Sequence, residues 1–211
     1  MIEMIDRSLD IGIGILIIAV SSGFHEAAHA WAAYRCGDDT AKEMGRLTLN
    51  PMAHICLYNS IIVPAIIFTL TGIIFGGAKP VPIIPYKLRN PEKGLAFSAA
   101  AGPIANLLIA FVATILLLLT KSISINFTPN NLLSRFLINV VLINLSLAFF
   151  NLLPIPPLDG SRIARYFMPF LKDTYDMLDQ MGIFLLFAIM TFIPGIISVV
   201  QIGRASCRER V

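Results

Sequence analysis

Charged residues are scarce in this chain of 211 residues, at 14%, against roughly 25% in soluble globular domains. Hydrophobic residues make up 56% of the chain, and the mean hydropathy is +0.78. This composition excludes an ordinary soluble protein and predicts an integral membrane protein. The formal net charge of +3 is small, so it gives no reason to expect a nucleic-acid partner.

Cysteine is also rare, with only Cys36, Cys56 and Cys207, none in a C-x-x-C spacing. This spacing predicts neither a disulfide framework nor a thiolate metal site. The first apolar segment, residues 9–34, lacks a basic n-region and a small-residue cleavage site before its polar residues. We therefore expect it to remain as a membrane helix and not to be removed as a signal peptide.

Apolar segments are the dominant feature of the rest of the chain. Residues 9–34, 95–120, 132–153 and 181–200 are each long enough to cross a bilayer. Residues 61–77 form a shorter segment that one proline and three glycines interrupt. The sequence predicts an all-α polytopic membrane protein. We expect about four transmembrane helices plus a re-entrant hairpin or fifth short helix, with a short β segment at residues 47–49 near the functional site.

Two local signals mark the connections between these segments. Gly37 follows the first apolar segment and is suited to a helix C-cap. The prolines of residues 78–93 forbid a helix there and allow at most an edge strand.

The last ten residues, 202–211, do not resemble a protein element but do resemble the in-frame translation of a common sequencing adapter. We predict that they are an artefactual tail, that residues 1–201 form a single domain, and that the natural C-terminus is missing. The alternative is a short basic amphipathic tail, although only Ile202 and Val211 would supply apolar bulk.

The first apolar segment carries the motif H-E-x-x-H at His25, Glu26 and His29. On a helix the two imidazoles lie one turn apart on the same face and can bind one metal ion. The carboxylate beside them can accept a proton from a water molecule that the metal activates. Ionisable groups at membrane depth are costly, which favours a functional site. The alternative is a pair of histidines that only cap or hydrogen-bond within a helix bundle.

Later segments add polar residues that can face the same interior. Asn144 and Asn151 lie two turns apart on one helix face, which we expect to point inward because unpaired amides are expensive in lipid. Asp159 follows that helix as a lone carboxylate, and Asn106 lies in the small-residue run A-G-P-I-A-N. Simple close packing of helices explains that run as well as any chemical role for Asn106 does.

The ordered motifs H-E-A-A-H, G-P-I-A-N and N-L-L-P-I-P-P-L-D-G resemble those of the site-2 protease family of intramembrane zinc metallopeptidases. The chain is most similar to the small members that lack PDZ and CBS domains. The resemblance implies that His25, His29 and Asp159 bind one zinc ion and that Glu26 is the general base. It also implies that Asn151 stabilises the oxyanion.

Reasoning from the residues agrees with a third ligand at Asp159, because catalytic zinc requires three protein ligands and an open position. Its alternative role is to cap the helix that follows, and that of Asn151 is to join two helices. His54 matches a histidine of the subgroup, and a site-supporting role and a structural role are equally open. The small members usually read G-W-A-K-P and D-P where this chain has G-G-A-K-P at 76–80 and C-L at 56–57.

The topology follows from the requirement that the ligands meet at one depth. A full crossing by residues 61–77 would place His29 and Asp159 at opposite faces, whereas a re-entrant hairpin places them at the same face. In the re-entrant arrangement the basic residues cluster on the side of the site, which the positive-inside rule assigns to the cytoplasm. The residues on that side are Arg35, Lys42, Arg46, Lys79, Lys87, Arg89, Lys93, Arg162, Arg165 and Lys172, and those opposite are Arg7, Lys121 and Arg135.

These observations predict a zinc endopeptidase that cleaves membrane proteins or membrane peptides within the bilayer of a bacterial or archaeal cell. The substrate would unwind locally, and residues 47–49 or 79–86 could hold it extended by edge pairing. The main alternative is a membrane metal-ion transporter or binding protein that uses the same ligands. A catalytically inactive scaffold is a third hypothesis, which the intact motif disfavours.

Overall fold

A computed structural model describes residues 2–54, 62, 79–123 and 132–182. It contains six α-helices in this part of the chain, and short 3₁₀ turns connect some of them. In chain order they are α1 Ile2–Arg35, α2 Thr40–Glu43, α3 Pro91–Ile123, α4 Leu132–Asn151, α5 Asp159–Phe167 and α6 Lys172–Gln180.

Three of these helices, α1, α3 and α4, are long and apolar enough to cross a membrane. Large apolar side chains such as Leu108, Phe111 and Phe149 are exposed along them, as expected for surfaces that face lipid. The mostly helical fold and three of the predicted spans are therefore confirmed. The predicted hairpin at 61–77, the predicted span at 181–200 and the tail at 202–211 fall outside the described residues, except for isolated positions at 62, 181 and 182.

Small side chains allow α1 and α3 to pack closely. Ala30, Ala33 and Ala99 are fully buried, and small residues let two helix backbones approach each other. His29 contacts Ser98 while His25 contacts Asn106, so rising residue numbers on α1 meet falling numbers on α3. The two helices are therefore antiparallel.

Helix α4 runs parallel to α1. Asn144, which is fully buried, donates from Nδ2 to Oγ of Ser21 at 2.9 Å, and the chain beyond the end of α4 contacts His25. This geometry confirms that the Asn144 face of α4 points inward. The ends of α1 and α4 and the start of α3 consequently lie at one end of the bundle, and residues 36–90 leave and return at that end.

The connection after α1 begins as the sequence predicted. Gly37 has a φ of +110°, and Asp38 donates its backbone N–H to the carbonyl of Ala33, so a glycine ends the helix in the left-handed region. Residues 47–49 form bends, and the described residues contain no strand. The short β segment is therefore not confirmed. The side chain of Arg46 connects the two ends of residues 46–53 by donating to the carbonyl of Ala53 at 2.6 Å.

Residues 79–84 form an irregular segment, here called the strap, which lies beside the end of α1. Its prolines exclude a helix, as predicted. Two carboxylates hold it: Glu26 accepts the N–H of Val81 at 2.9 Å, and Asp38 accepts the N–H of Ile84 at 2.6 Å. Val81 also packs in a small apolar cluster with Ala30.

Helices α5 and α6 follow α4 as an amphipathic pair. Gly160 lies in the first turn of α5, where a Cβ atom would collide with the backbone carbonyls of Leu152 and Leu153. This close approach places the start of α5 directly against the end of α4. Arg165 joins the pair through ion pairs with Asp176 and Asp179.

Candidate metal centre

Three side chains from two distant parts of the chain converge at the end of the bundle. Nε2 of His25 and Nε2 of His29 lie 2.9 Å apart, and Oδ2 of Asp159 lies 3.1 Å from the first and 3.2 Å from the second. A tetrahedral zinc ion with ligands at about 2.0–2.1 Å has neighbouring ligand atoms about 3.3 Å apart. The three atoms are therefore close enough together to bind one metal ion.

The chemistry of the donor set also fits a cation. Nδ1 of His29 lies 2.7 Å from the carbonyl oxygen of Ser98, which can only accept, so Nδ1 carries a proton. In the neutral imidazole, the lone pair on Nε2 of His29 then points toward Nε2 of His25 and Oδ2 of Asp159. Burial raises the pKa of Asp159, but the hydrogen bonds and charges of the two histidines outweigh this and hold the pKa well below its ordinary value. An ionised carboxylate and two imidazoles are ordinary zinc ligands.

Helix α3 packs against the rings of both histidines. Ser98, Gly102 and Asn106 lie at intervals of four residues on one face of it. A Cβ atom on Gly102 would lie 2.6 Å from ring atoms of both His25 and His29, so only glycine fits there. Ser98 also donates its hydroxyl to the carbonyl of His29 at 3.0 Å. The G-P-I-A-N motif is therefore packed directly against the candidate metal centre.

Asp159 is positioned by the start of α5. The N-cap residue is Leu158, and no side chain caps the helix. The carboxylate of Asp159 points instead toward His25 and His29. The structure thus offers no support for the alternative in which Asp159 serves as a helix cap.

Glu26 and the three candidate ligands line a cavity of about 170 Å³. Oε2 of Glu26 accepts the N–H of Val81, which holds the carboxylate beside the strap. The full lining consists of His25, Glu26, His29, Pro80, Val81, Ile83, Asn151, Pro157, Asp159 and Arg162.

The remaining predicted residues separate into two groups. Asn151 lines the cavity and donates one N–H to the carbonyl of Leu147 at 2.9 Å, which leaves its second N–H for another acceptor. Asn106 contacts the ring of His25. His54 does not line the cavity. Its ring bonds to the carbonyl of Thr48 at 3.0 Å, which is a structural contact.

Four residues at the centre were not predicted individually from the sequence, although Val81 lies within the predicted substrate segment 79–86. Val81 and Arg162 line the cavity, and Ser98 and Gly102 support the histidines. The four-residue spacing of Ser98, Gly102 and Asn106 could have indicated Ser98 and Gly102 from the sequence. Nothing in the local pattern marked Val81, because its role depends on a backbone N–H.

Comparison with known proteins agrees with this geometry. The family model described as "Peptidase family M50" matches residues 13–125 and 122–190. The "Putative zinc metalloprotease YwhC" of Bacillus subtilis is 38% identical over 157 residues, which cover 74% of this chain and 68% of that protein. The "Putative zinc metalloprotease MJ0611" of Methanocaldococcus jannaschii is 33% identical over 162 residues, which cover 72% of this chain and 70% of that protein.

A third relative is longer. The "Putative zinc metalloprotease Rip2" of Mycolicibacterium smegmatis is 34% identical over 154 residues, which cover 71% of this chain but only 56% of that protein. No solved structure matches the chain. The family match and these similarities support a zinc metallopeptidase. The chain therefore belongs to peptidase family M50, the site-2 protease family.

Proposed function

We propose that this protein is an intramembrane zinc endopeptidase that cleaves membrane proteins or membrane peptides in or near their transmembrane segments. One observation carries the proposal. His25, His29 and Asp159 converge beside Glu26, and they do so within a bundle of helices long and apolar enough to span a membrane. We propose that the three ligands hold one zinc ion per chain.

Zinc, when bound, would polarise a water molecule and the scissile carbonyl. Glu26 would accept the proton of that water and pass it to the leaving amine. The hydrogen bond from Val81 holds one oxygen of Glu26 in place, so the carboxylate is oriented without losing its capacity as a base. His25, His29 and Asp159 all line the cavity, from which a substrate carbonyl could approach.

The charge that develops on the carbonyl oxygen needs donors, and the cavity offers two. Asn151 retains one amide N–H after its bond to Leu147. Arg162 lines the same cavity and carries a permanent positive charge. We propose that Asn151 stabilises the oxyanion and that Arg162 supports it or orients the substrate.

A helical substrate hides its carbonyls in its own hydrogen bonds, so it must unwind before cleavage. The strap offers an edge for such a segment, because Pro80, Val81 and Ile83 line the cavity. Prolines lack N–H groups, so the strap would hold a substrate chiefly through its carbonyl oxygens.

We propose that the centre faces the cytoplasm of a bacterial or archaeal cell, with the bilayer and a membrane substrate as partners. The end of α1 and the start of α3 lie at the same end of the bundle. The proposed re-entrant hairpin at 61–77 is therefore compatible with the described helices. The basic residues cluster at the same end, including Lys42, Lys87 and Arg162, as the positive-inside rule requires.

The direct test replaces Glu26 by glutamine, which retains the size of the side chain but cannot serve as a base. We expect Glu26→Gln to keep its zinc, measured by metal analysis of the purified protein, and to lose cleavage of a co-expressed membrane substrate. Undiminished cleavage would remove Glu26 from the mechanism. A chain that carries no zinc in either form would contradict the peptidase proposal.

The transporter alternative has less support. An ion path requires ligands spread across the membrane. Within the part of the chain that the structure describes, His25, His29 and Asp159 are the only group of such residues close enough to hold an ion.

A further inference from the structure

Three aromatic side chains are exposed where α5 ends and α6 begins. We call Tyr166, Phe167 and Phe170 the aromatic corner. The rings of Tyr166 and Phe167 meet edge to face, with centroids 5.2 Å apart. Phe170 is 80% exposed and Phe167 is 73% exposed, more than Phe111 and Phe149 on the spanning helices, at 62% and 64%. Large apolar side chains exposed together to this extent indicate a contact surface.

We propose that the aromatic corner inserts into the headgroup region and upper acyl layer of the bilayer that holds α1, α3 and α4. This inference adds a lipid-binding surface outside the spanning helices, and it depends neither on zinc nor on peptidase activity. The surface lies at the end of α5, the helix that begins with the candidate ligand Asp159.

The depth of the aromatic corner follows from its connection to α3. Nζ of Lys172, two residues after Phe170, lies 3.9 Å from Oε1 of Glu92 in the first turn of α3. Helix α3 has 33 residues, which span about 50 Å at about 1.5 Å per residue. The hydrocarbon core of a bilayer is only about 30 Å thick. The charged first turn of α3 therefore lies at headgroup depth, and the aromatic corner lies beside it.

The connections of the α5 and α6 pair keep it near the membrane. Only residues 152–158 separate it from α4, on which Phe149 and Leu152 near the junction are exposed. The apolar segment 181–200 of the sequence follows α6 directly. The aromatic corner is therefore close along the chain to surfaces that face lipid.

The charged contacts of α5 use a different face from its aromatic side chains. Arg165 pairs with Asp176 and Asp179 of α6. Phe167 lies two residues after Arg165, which places it on nearly the opposite side of the helix. Helices that lie in the membrane interface divide in this way, with Phe or Leu on the face that enters the lipid.

A second copy of the chain is a poorer occupant of the aromatic corner than the bilayer. Three aromatic side chains bury at most about 750 Å², since each buries about 150–250 Å², and Tyr166 is only 39% exposed. A stable protein interface buries about 800 Å² per partner. The bilayer has no such minimum area, because the spanning helices already hold the chain in it.

The contact depends on apolar rings and not on charge. Residues 159–180 carry three basic side chains and four carboxylates, so they have no excess positive charge to attract anionic lipids. The basic residues are Arg162, Arg165 and Lys172, and the acidic residues are Asp159, Asp173, Asp176 and Asp179. We therefore expect the same contact in neutral and in anionic bilayers.

Single tryptophans in the full chain measure the depth of the aromatic corner. The chain has one tryptophan, Trp31, so Trp31→Phe supplies a background without any. Phe170→Trp is added to this background, and the protein is reconstituted into phosphatidylcholine vesicles that contain brominated lipid. We expect Phe170→Trp to lose most of its fluorescence when the bromines lie near the headgroups, and less when they lie deep in the acyl layer.

Two reference positions calibrate the measurement. Phe111→Trp, near the middle of α3, should be quenched most by the deep bromines. Glu43→Trp, at an exposed position of α2, should be quenched by acrylamide in the water. The Phe170→Trp measurement is then repeated with phosphatidylglycerol added to the vesicles, and we expect the quenching to stay the same.

Three results would overturn the inference. The first is a Phe170→Trp ring that acrylamide quenches and neither brominated lipid affects. The second is a ring shielded from all three quenchers, because residues 181–200 or a second copy would then cover it. The third is quenching by lipid that appears only with phosphatidylglycerol. If Phe170→Trp does not fold, Phe167→Trp provides the same measurement with the same expected result.

Discussion

The candidate metal centre leaves no room for an added side chain at two positions. Gly102 is the clearest case, since any side chain there would enter the space of the His25 and His29 rings. The same reasoning applies to Gly160, whose missing side chain lets the start of α5 approach the end of α4. Two glycines therefore determine how close the candidate ligands come to one another.

The Gly102→Ala variant tests this limit. A methyl group 2.6 Å from ring atoms of both histidines must displace them, so we expect zinc affinity to fall by at least tenfold. We also expect overpacking to cost about 1–3 kcal/mol of stability. Zinc competition and thermal unfolding in detergent measure the two effects.

Gly14→Ala is the matched control, because a Cβ atom at Gly14 would meet nothing within 4 Å. Alanine in an open helical position is expected to stabilise by about 0.5–1 kcal/mol. Equal zinc affinity in Gly102→Ala and Gly14→Ala would show that the rings can move aside.

At the scale of elements, the strap contacts α1 and the residues after it through two carboxylates. It is held at Val81 by Glu26 and at Ile84 by Asp38. Burial raises the pKa of Asp38, but hydrogen bonds from Ile84 and Thr40 outweigh it and leave the pKa below its ordinary value. The anchor is therefore an ionised carboxylate at neutral pH.

We expect Asp38→Asn to destabilise the protein by about 1–3 kcal/mol, because the amide nitrogen must face a backbone N–H that the carboxylate accepted. Since the folded pKa of Asp38 lies below its unfolded value of about 3.9, its stabilisation is complete above that value and is lost as the pH falls through the folded pKa. The difference in unfolding free energy between wild type and variant should thus narrow below about pH 4.

Thermal unfolding at several pH values measures this difference. Asp39→Asn is the control, because Asp39 is exposed and pairs with Lys87 at the surface, where such pairs contribute little. A gap that stays constant down to pH 2 would contradict the role of the Asp38 carboxylate.

The elements also show what the sequence could and could not predict. Three spans, the helix end at Gly37 and the non-helical strap followed from hydropathy, glycine and proline. The predicted strand at 47–49 did not appear, because alternation over three residues carries too little information against the contacts made by Arg46 and His54.

The candidate site divides in the same way. His25, Glu26, His29 and Asp159 followed from motifs, and the structure brings them together. The contribution of Val81 is a backbone N–H, which any residue except proline possesses, so its identity says nothing about that role. Arg162 required the cavity to be seen, because one of many basic residues near a membrane surface is not distinctive.

At the scale of the whole molecule, the arrangement of α1, α3 and α4 makes a prediction about topology. Reporter fusions at Lys42 and Pro85 should both report the cytoplasm, whereas a fusion after Lys121 should report the other side. The reason is that residues 36–90 begin and end at the end of the bundle that holds the metal centre. Opposite locations for Lys42 and Pro85 would overturn this topology.

The two groups of ligands come from positions 134 residues apart in the chain. An ion held by His25, His29 and Asp159 would act as a cross-link that closes a very long loop, and closing such a loop in the unfolded chain carries a large entropic cost. Zinc would then serve the protein twice, as a reagent for hydrolysis and as a clasp between its first helix and its last described helices. Loss of the metal would weaken the architecture together with the chemistry.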